Sequence, residues 1–176
     1  MADKELKSIV RSYALDIEAA AGGTLYKVNG EPTVTDDIDD WKRKEWDRQK
    51  AEFLAKEPFD SLDPEDKEIY EDEDRYVTDN IGDVDDIDDP EQMSVMEYIN
   101  DKSLGDIRFE VNKNMECCGG KMLLAFGGPN IWLHDDEVCG CWGGNSETWP
   151  LCPDARDALM EFFQEEWNMV RDSHSR

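Results

Sequence analysis

The chain has 176 residues, 44 of them Asp or Glu and 19 Lys or Arg, which leaves a formal net charge of −25. A compact state holding that much like charge repels itself, so nucleic acid and anionic membrane surfaces are disfavoured as direct ligands, while basic proteins and metal cations are favoured. The length suits one domain with a real core, for which 6 Trp, 6 Phe and 5 Tyr supply material, and no stretch approaches the roughly 18 apolar residues of a membrane span.

Leu6, Ile9, Val10, Tyr13, Ala14 and Ile17 recur at three- and four-residue steps, with Asp3 as cap and Gly22-Gly23 as stop, and predict a first amphipathic helix. Thr24 to Val28 and Pro32 to Thr35 flank Asn29-Gly30, the dipeptide suited to the positive φ angles of a tight hairpin turn. A second helix is predicted from Asp36 to Ala55, acidic at its start and basic after it as the helix dipole prefers, with Ile38, Trp41, Trp46 and Phe53 as its apolar stripe.

Between Glu57 and Glu91 the composition changes abruptly: 17 of 35 residues are acidic and only Lys67 and Arg75 are basic. Asp63-Pro64 reads as a cap and first helical position, followed by a thin apolar face of Ile69, Tyr70 and Val77, with Thr78 to Asp89 as loop. Asp89-Pro90 repeats the start signal ahead of a short helix buried through Met93, Met96 and Ile99. From Leu104 the period becomes two. Ile107, Phe109 and Val111, then Met122 to Phe126, Asn130 to Leu133 and Val138 to Trp142, predict a four-stranded antiparallel meander, because the links are too short for parallel crossovers. Pro153 opens a last helix with Leu159, Phe162, Phe163, Trp167 and Val170 facing inward.

The chemistry-bearing residues are few. His134 and His174 are the two histidines, and Cys139 and Cys141 lie near the first in sequence, which gives little for nucleophilic or acid–base catalysis. Cys117, Cys118, Cys139, Cys141 and His134 lack zinc-knuckle spacing, and the acidic stretches around Asp79 to Asp88 put Ile81 and Ile87 where calcium ligands belong. No nucleotide-binding glycine pattern is present. No catalytic residue, metal or cofactor is therefore assigned. The odd cysteine count, the adjacent Cys117-Cys118 and an N-terminus without a signal core point to a reducing, cytoplasmic setting.

The acidic stretch is the candidate site, through Asp72, Asp74, Asp79, Asp83, Asp85, Asp86, Asp88 and Asp89. Wholly helical, it would span roughly 50 Å and show one net charge per ~3.5 Å, close to the about 3.4 Å of a single DNA strand. An extended chain would spread the charge at least twofold, so mimicry of a nucleic acid requires these carboxylates to be folded onto a surface.

Gly127-Gly128-Pro129-Asn130-Ile131-Trp132, then Gly140-Cys141-Trp142, Trp149-Pro150-Leu151 and a helix ending Glu165-Glu166-Trp167, resemble small proteins encoded by phages and mobile elements of gut bacteria. The resemblance covers roughly residues 121–170 and implies a viral setting, in which a small acidic protein without catalytic groups looks like an anti-CRISPR inhibitor. The expected fold is α+β: one domain over 1–176, with a helix-hairpin-helix at 1–56, an acidic segment at 57–103 on the outside, and a β-meander backed by a C-terminal helix at 104–176. The expected function is blockade of the DNA-binding surface of a CRISPR-associated nuclease. The alternatives are an adaptor for another basic protein, such as a restriction enzyme, repressor or packaging protein, and a small metal-binding protein.

Overall fold

In the computed structural model, which describes residues 2–70 and 72–174, the first apolar stripe forms α1 (Ala2–Ala21) and buries Leu6, Val10, Ala14 and Ile17. Asp3 falls inside this helix rather than at its cap. The side chains of Asp3, Ile69 and His174 lie outside the described part of the chain. The Asn29-Gly30 hairpin forms as expected between β1 (Leu25–Val28) and β2 (Glu31–Val34), with Val28 opposite Glu31. Asn29 and Gly30 have φ of 52° and 86°, the pair of positive angles that matches a two-residue turn to the twist of its strands.

The chain divides into two compact units, Met1–Val34 with Glu91–Arg176, and Thr35–Pro90. The boundaries expected from sequence, at 56 and 103, fall elsewhere because the second helix belongs with the acidic segment and the 91–103 stretch belongs with the rest. Glu91–Gln92 form β3, which pairs with β1 on the side away from β2. Asp89-Pro90 therefore does not start a helix. That start lies at Ser94, whose hydroxyl accepts from the Glu97 amide while the Glu97 carboxylate accepts from the Ser94 amide, and α5 (Val95–Lys102) follows. Val95, Tyr98 and Ile99 of α5 are buried and Met96 is exposed.

The meander is an antiparallel sheet in chain order: β4 (Ile107–Val111), β5 (Cys117–Ala125), β6 (Asn130–His134), β7 (Glu137–Trp142) and β8 (Asn145–Pro150). The fifth strand, β8, adds to the four expected from sequence, since Asn145, Ser146 and Glu147 carry no apolar alternation. One face of the sheet holds Met122, Leu124, Ile131, Leu133 and Val138, all buried with residues of α1, α5 and α6 (Pro153–His174) in one core. Gly140 lies where α1 comes closest: a Cβ there would sit 2.4 Å from Val10 Cγ2. Phe162 and Phe163 of α6 are fully buried, each contributing roughly 1.5–3 kcal/mol of apolar burial. Val170, expected inside, is exposed near the end of α6.

The Thr35–Pro90 unit is helical: α2 (Ile38–Lys56), α3 (Pro64–Ile69) and α4 (Glu73–Ile81), with single 3-10 turns at Phe59–Ser61 and Val84–Asp86. Asp63 caps α3 with Pro64 in its first turn, as expected. Thr78 to Asp89, expected as loop, instead contributes the end of α4 and the second 3-10 turn. The apolar stripe of α2 is only partly covered, and none of its residues is fully buried.

Candidate protein-binding surface

Four aspartates of the Thr35–Pro90 unit begin helical turns. The carboxylates of Asp37, Asp63 and Asp72 accept the backbone N–H three residues on, at 2.9, 3.1 and 2.8 Å, and Asp83 accepts from the Val84 amide at 2.6 Å. Short polar acceptors are favoured there because the first amides of a helix have no intrahelical partner and the helix dipole favours negative charge. A carboxylate offers about four lone-pair sites and a cap uses one of them, so each remains an acceptor toward solvent.

Aromatic contacts hold this frame. Tyr76 is 5% exposed and its ring meets those of Phe53, Phe59 and Tyr70, with centroids 5.3, 5.7 and 4.8 Å apart. Burial pushes the Tyr76 phenol above its ordinary pKa. Trp46 Nε1 donates to the Gly82 carbonyl at 3.0 Å and ties α2 to the end of α4. Both tryptophan and tyrosine thus serve packing, with their polar ends satisfied or at the surface.

The eight aspartates singled out by sequence fall into two groups. Asp72 caps α4, and Asp74 in its first turn pairs with Lys50 of α2. Asp79 lies one turn on, 3.8 Å from Arg75. In the second group Asp83 and Asp86 cap the 3-10 turn reciprocally, the Asp86 carboxylate accepting from the Asp83 amide at 2.8 Å, and Asp89 pairs with Lys42 at 2.7 Å. Asp85 and Asp88 are exposed and make no hydrogen bond or ion pair among the described residues. The 57–91 stretch is therefore not one helical rod with evenly spaced charge, but a broken series of turns with carboxylates at their starts.

Lys42 and Lys50 are neighbours of the candidate site that carry no signal in the sequence, since their partners lie 47 and 24 residues away. Hydrogen bonds to Asp89 and Asp74 hold both ammonium groups above their ordinary pKa. The burial within each pair is lopsided: the lysine side chains are 19% and 23% exposed, whereas Asp89 and Asp74 are 75% and 74% exposed. The cations lie underneath and the anions face out. Overall the unit holds 23 acids and 8 bases, for a net charge of −15.

In the other unit, Cys139 Sγ donates to Glu137 Oε1 at 3.1 Å, and burial pushes its thiol pKa up, which keeps it protonated rather than nucleophilic at neutral pH. His134 lies in register with Lys121 across β5 and β6. Among the described residues no three His, Cys, Asp or Glu side chains are grouped to hold a metal ion, and no helix is long and apolar enough to cross a membrane. Comparisons with family models, curated proteins and solved structures gave no match.

Proposed function

We propose that this chain is an anti-defence inhibitor whose Thr35–Pro90 unit occupies the positive, DNA-binding surface of a basic protein, with a CRISPR-associated nuclease as the target class implied by the sequence resemblance. One observation carries the reading: Asp72, Asp83 and Asp86 are held by capping bonds and Asp74 and Asp89 by ion pairs to covered lysines, yet all five remain exposed. A preordered anionic array loses less conformational freedom on binding than a floppy acidic tail, so more of its attraction for arginines and lysines survives as affinity. Complementary charge also speeds encounter and makes the complex salt-sensitive.

The test measures DNA cleavage by a guide-loaded CRISPR nuclease with and without the chain, alongside binding at low and high salt. Asp72, Asp74, Asp85, Asp86, Asp88 and Asp89 are changed together to Asn, which keeps side-chain acceptors at the caps while removing six charges. Inhibition lost by this variant, and binding that weakens as salt rises, are the expected results. Inhibition retained by the variant overturns the mechanism. Binding confined to a restriction enzyme or a repressor keeps the acidic surface but replaces the target.

A further inference from the structure

Within the unit formed by Met1–Val34 and Glu91–Arg176, three elements meet around an open cleft of about 350 Å³. Ile9, Tyr13 and Asp16 reach it from α1, where spacings of four and three residues put them on one stripe of the helix. Glu31 and Pro32 come from β2, directly after the Asn29-Gly30 turn, and Tyr98 and Lys102, one turn apart, come from α5. Asp16 is the least expected member. The Tyr98 hydroxyl donates to its Oδ2 at 3.0 Å, which uses one of the about four lone-pair sites of a carboxylate. Among the described residues no lysine or arginine comes within ion-pair distance of Asp16, and Lys102 pairs instead with Asp101 at 3.4 Å. Desolvation raises the Asp16 pKa, so its ionised form costs stability at neutral pH. An asparagine would accept from Tyr98 without that cost. A charge held at a cost inside a cleft marks a binding site rather than packing.

The lining selects the ligand by charge and by shape. It holds two carboxylates, Asp16 and Glu31, against the single ammonium of Lys102, which already has a carboxylate partner. An anion is therefore repelled and a cation attracted. A metal ion lacks ligands, since among the described residues no third His, Cys, Asp or Glu joins these two. Ile9, Pro32 and the half-buried Tyr13 supply an apolar wall, which suits a cation with an apolar body. A primary ammonium brings three donors, and the free acceptor sites of Asp16 can take them without breaking the Tyr98 bond. The cleft volume lies near the lower end of the roughly 300–1,000 Å³ of ligand sites, so the ligand is small. We propose that this cleft binds a small primary amine in its ammonium form, with Asp16 as the anion that receives it and Glu31 as a second carboxylate at the rim.

Amide chemical shifts of the full chain, followed by NMR during titration with phenethylamine at neutral pH, test this. A monovalent amine is used because the acidic Thr35–Pro90 unit retains multivalent cations by charge alone. Saturable shifts at the amides of residues 9–16, 31 and 98–102 are expected, with a Kd of about 1 mM or tighter. Phenethyl alcohol, the same body without the charge, is expected to leave those amides unmoved. Asp16→Asn is expected to weaken binding at least about tenfold, the loss that follows removal of a charged hydrogen bond, while melting no lower than the parent. Glu31→Gln, at an exposed position, is expected to weaken it by less than Asp16→Asn does. The six-Asn variant described above is expected to bind phenethylamine as the parent does, so this inference and the proposed function fail separately. Equal shifts with the alcohol, no saturable shifts at these amides, or binding undiminished in Asp16→Asn overturns the inference. Shifts spread over the acidic unit and lost in the six-Asn variant overturn it as well. Binding of Nα-acetyl-lysine amide but not of phenethylamine overturns it in favour of a lysine side chain of a partner protein.

Discussion

Asp16 on α1 sits beside the fully buried Tyr98, whose hydroxyl donates to it at 3.0 Å, in a cleft of about 350 Å³ lined also by Tyr13, Glu31, Pro32 and Lys102. Desolvation raises the Asp16 pKa, outweighing the Tyr98 hydrogen bond and the field of Lys102, which lower it. A carboxyl with a raised folded pKa takes up its proton first in the folded state, so its charged form costs stability at neutral pH and that cost disappears as pH falls through the folded value. Asp16→Asn keeps an acceptor for Tyr98 and removes the charge. Its melting temperature is expected to exceed the parent's at pH 7, with the gap closing toward about pH 4. A variant less stable than the parent at pH 7 would mean that the Tyr98 bond outweighs burial. Packing sets a second residue-scale limit at Gly140, where a Cβ would lie 2.4 Å from Val10 Cγ2 and 2.9 Å from Leu6 Cδ1. Gly140→Ala is expected to cost about 1–3 kcal/mol in urea unfolding by overpacking α1 against the sheet. Gly128→Ala, with nothing within 4 Å of the added carbon, is expected to change stability by less than about 0.5 kcal/mol.

Caps separate what an aspartate does for its helix from what its charge does for a partner. Asp72→Ala is expected to cost about 1 kcal/mol and to speed amide exchange along α4, whereas Asp72→Asn, an equally good cap, leaves exchange near the parent rate. Loss of partner binding in both variants assigns the effect to charge, and loss in Ala alone assigns it to order in α4. This local chemistry was also the legible part of the fold. Asn29-Gly30 announced the hairpin and Asp63-Pro64 announced α3, because each fixes backbone angles within a few residues. Helix α5 was misplaced at its start, since Asp89-Pro90 and Ser94 both read as caps and only the reciprocal Ser94 and Glu97 bonds decide between them. Strand β8 carries its structural signal in Trp149 alone, which packs beside the core in register with Val138, so pairing with β7 rather than its own pattern makes it a strand. The acidic residues of the candidate site were legible from composition. The lysines beneath them were not, because ion pairs spanning 24 and 47 residues leave no local trace.

Connectivity at the whole-molecule scale explains how so much charge coexists with one well-formed core. The Thr35–Pro90 unit is an insertion between β2 and β3, and both of those strands pair with β1: Leu25 with Val34 on one side, Lys27 with Glu91 on the other. Entry and exit of the insertion are thereby anchored by strand pairing inside the remaining unit, which holds 21 acids and 11 bases and contains the continuous cluster of buried residues around Ile17, Met122 and Phe163. Replacing residues 35–90 by about fifteen Gly and Ser residues, enough flexible chain for the crossover from β2 to the parallel β3 on the far side of β1, is expected to leave a folded protein. Its unfolding should remain a single cooperative transition by circular dichroism and by Trp fluorescence, because the core loses no member. Net charge falls from −25 to −10, so attraction to a basic partner should collapse at low salt. An excised chain that unfolds without cooperativity would show that the insertion is structurally required, and one that still binds the partner with undiminished affinity would move the binding surface onto the sheet-bearing unit.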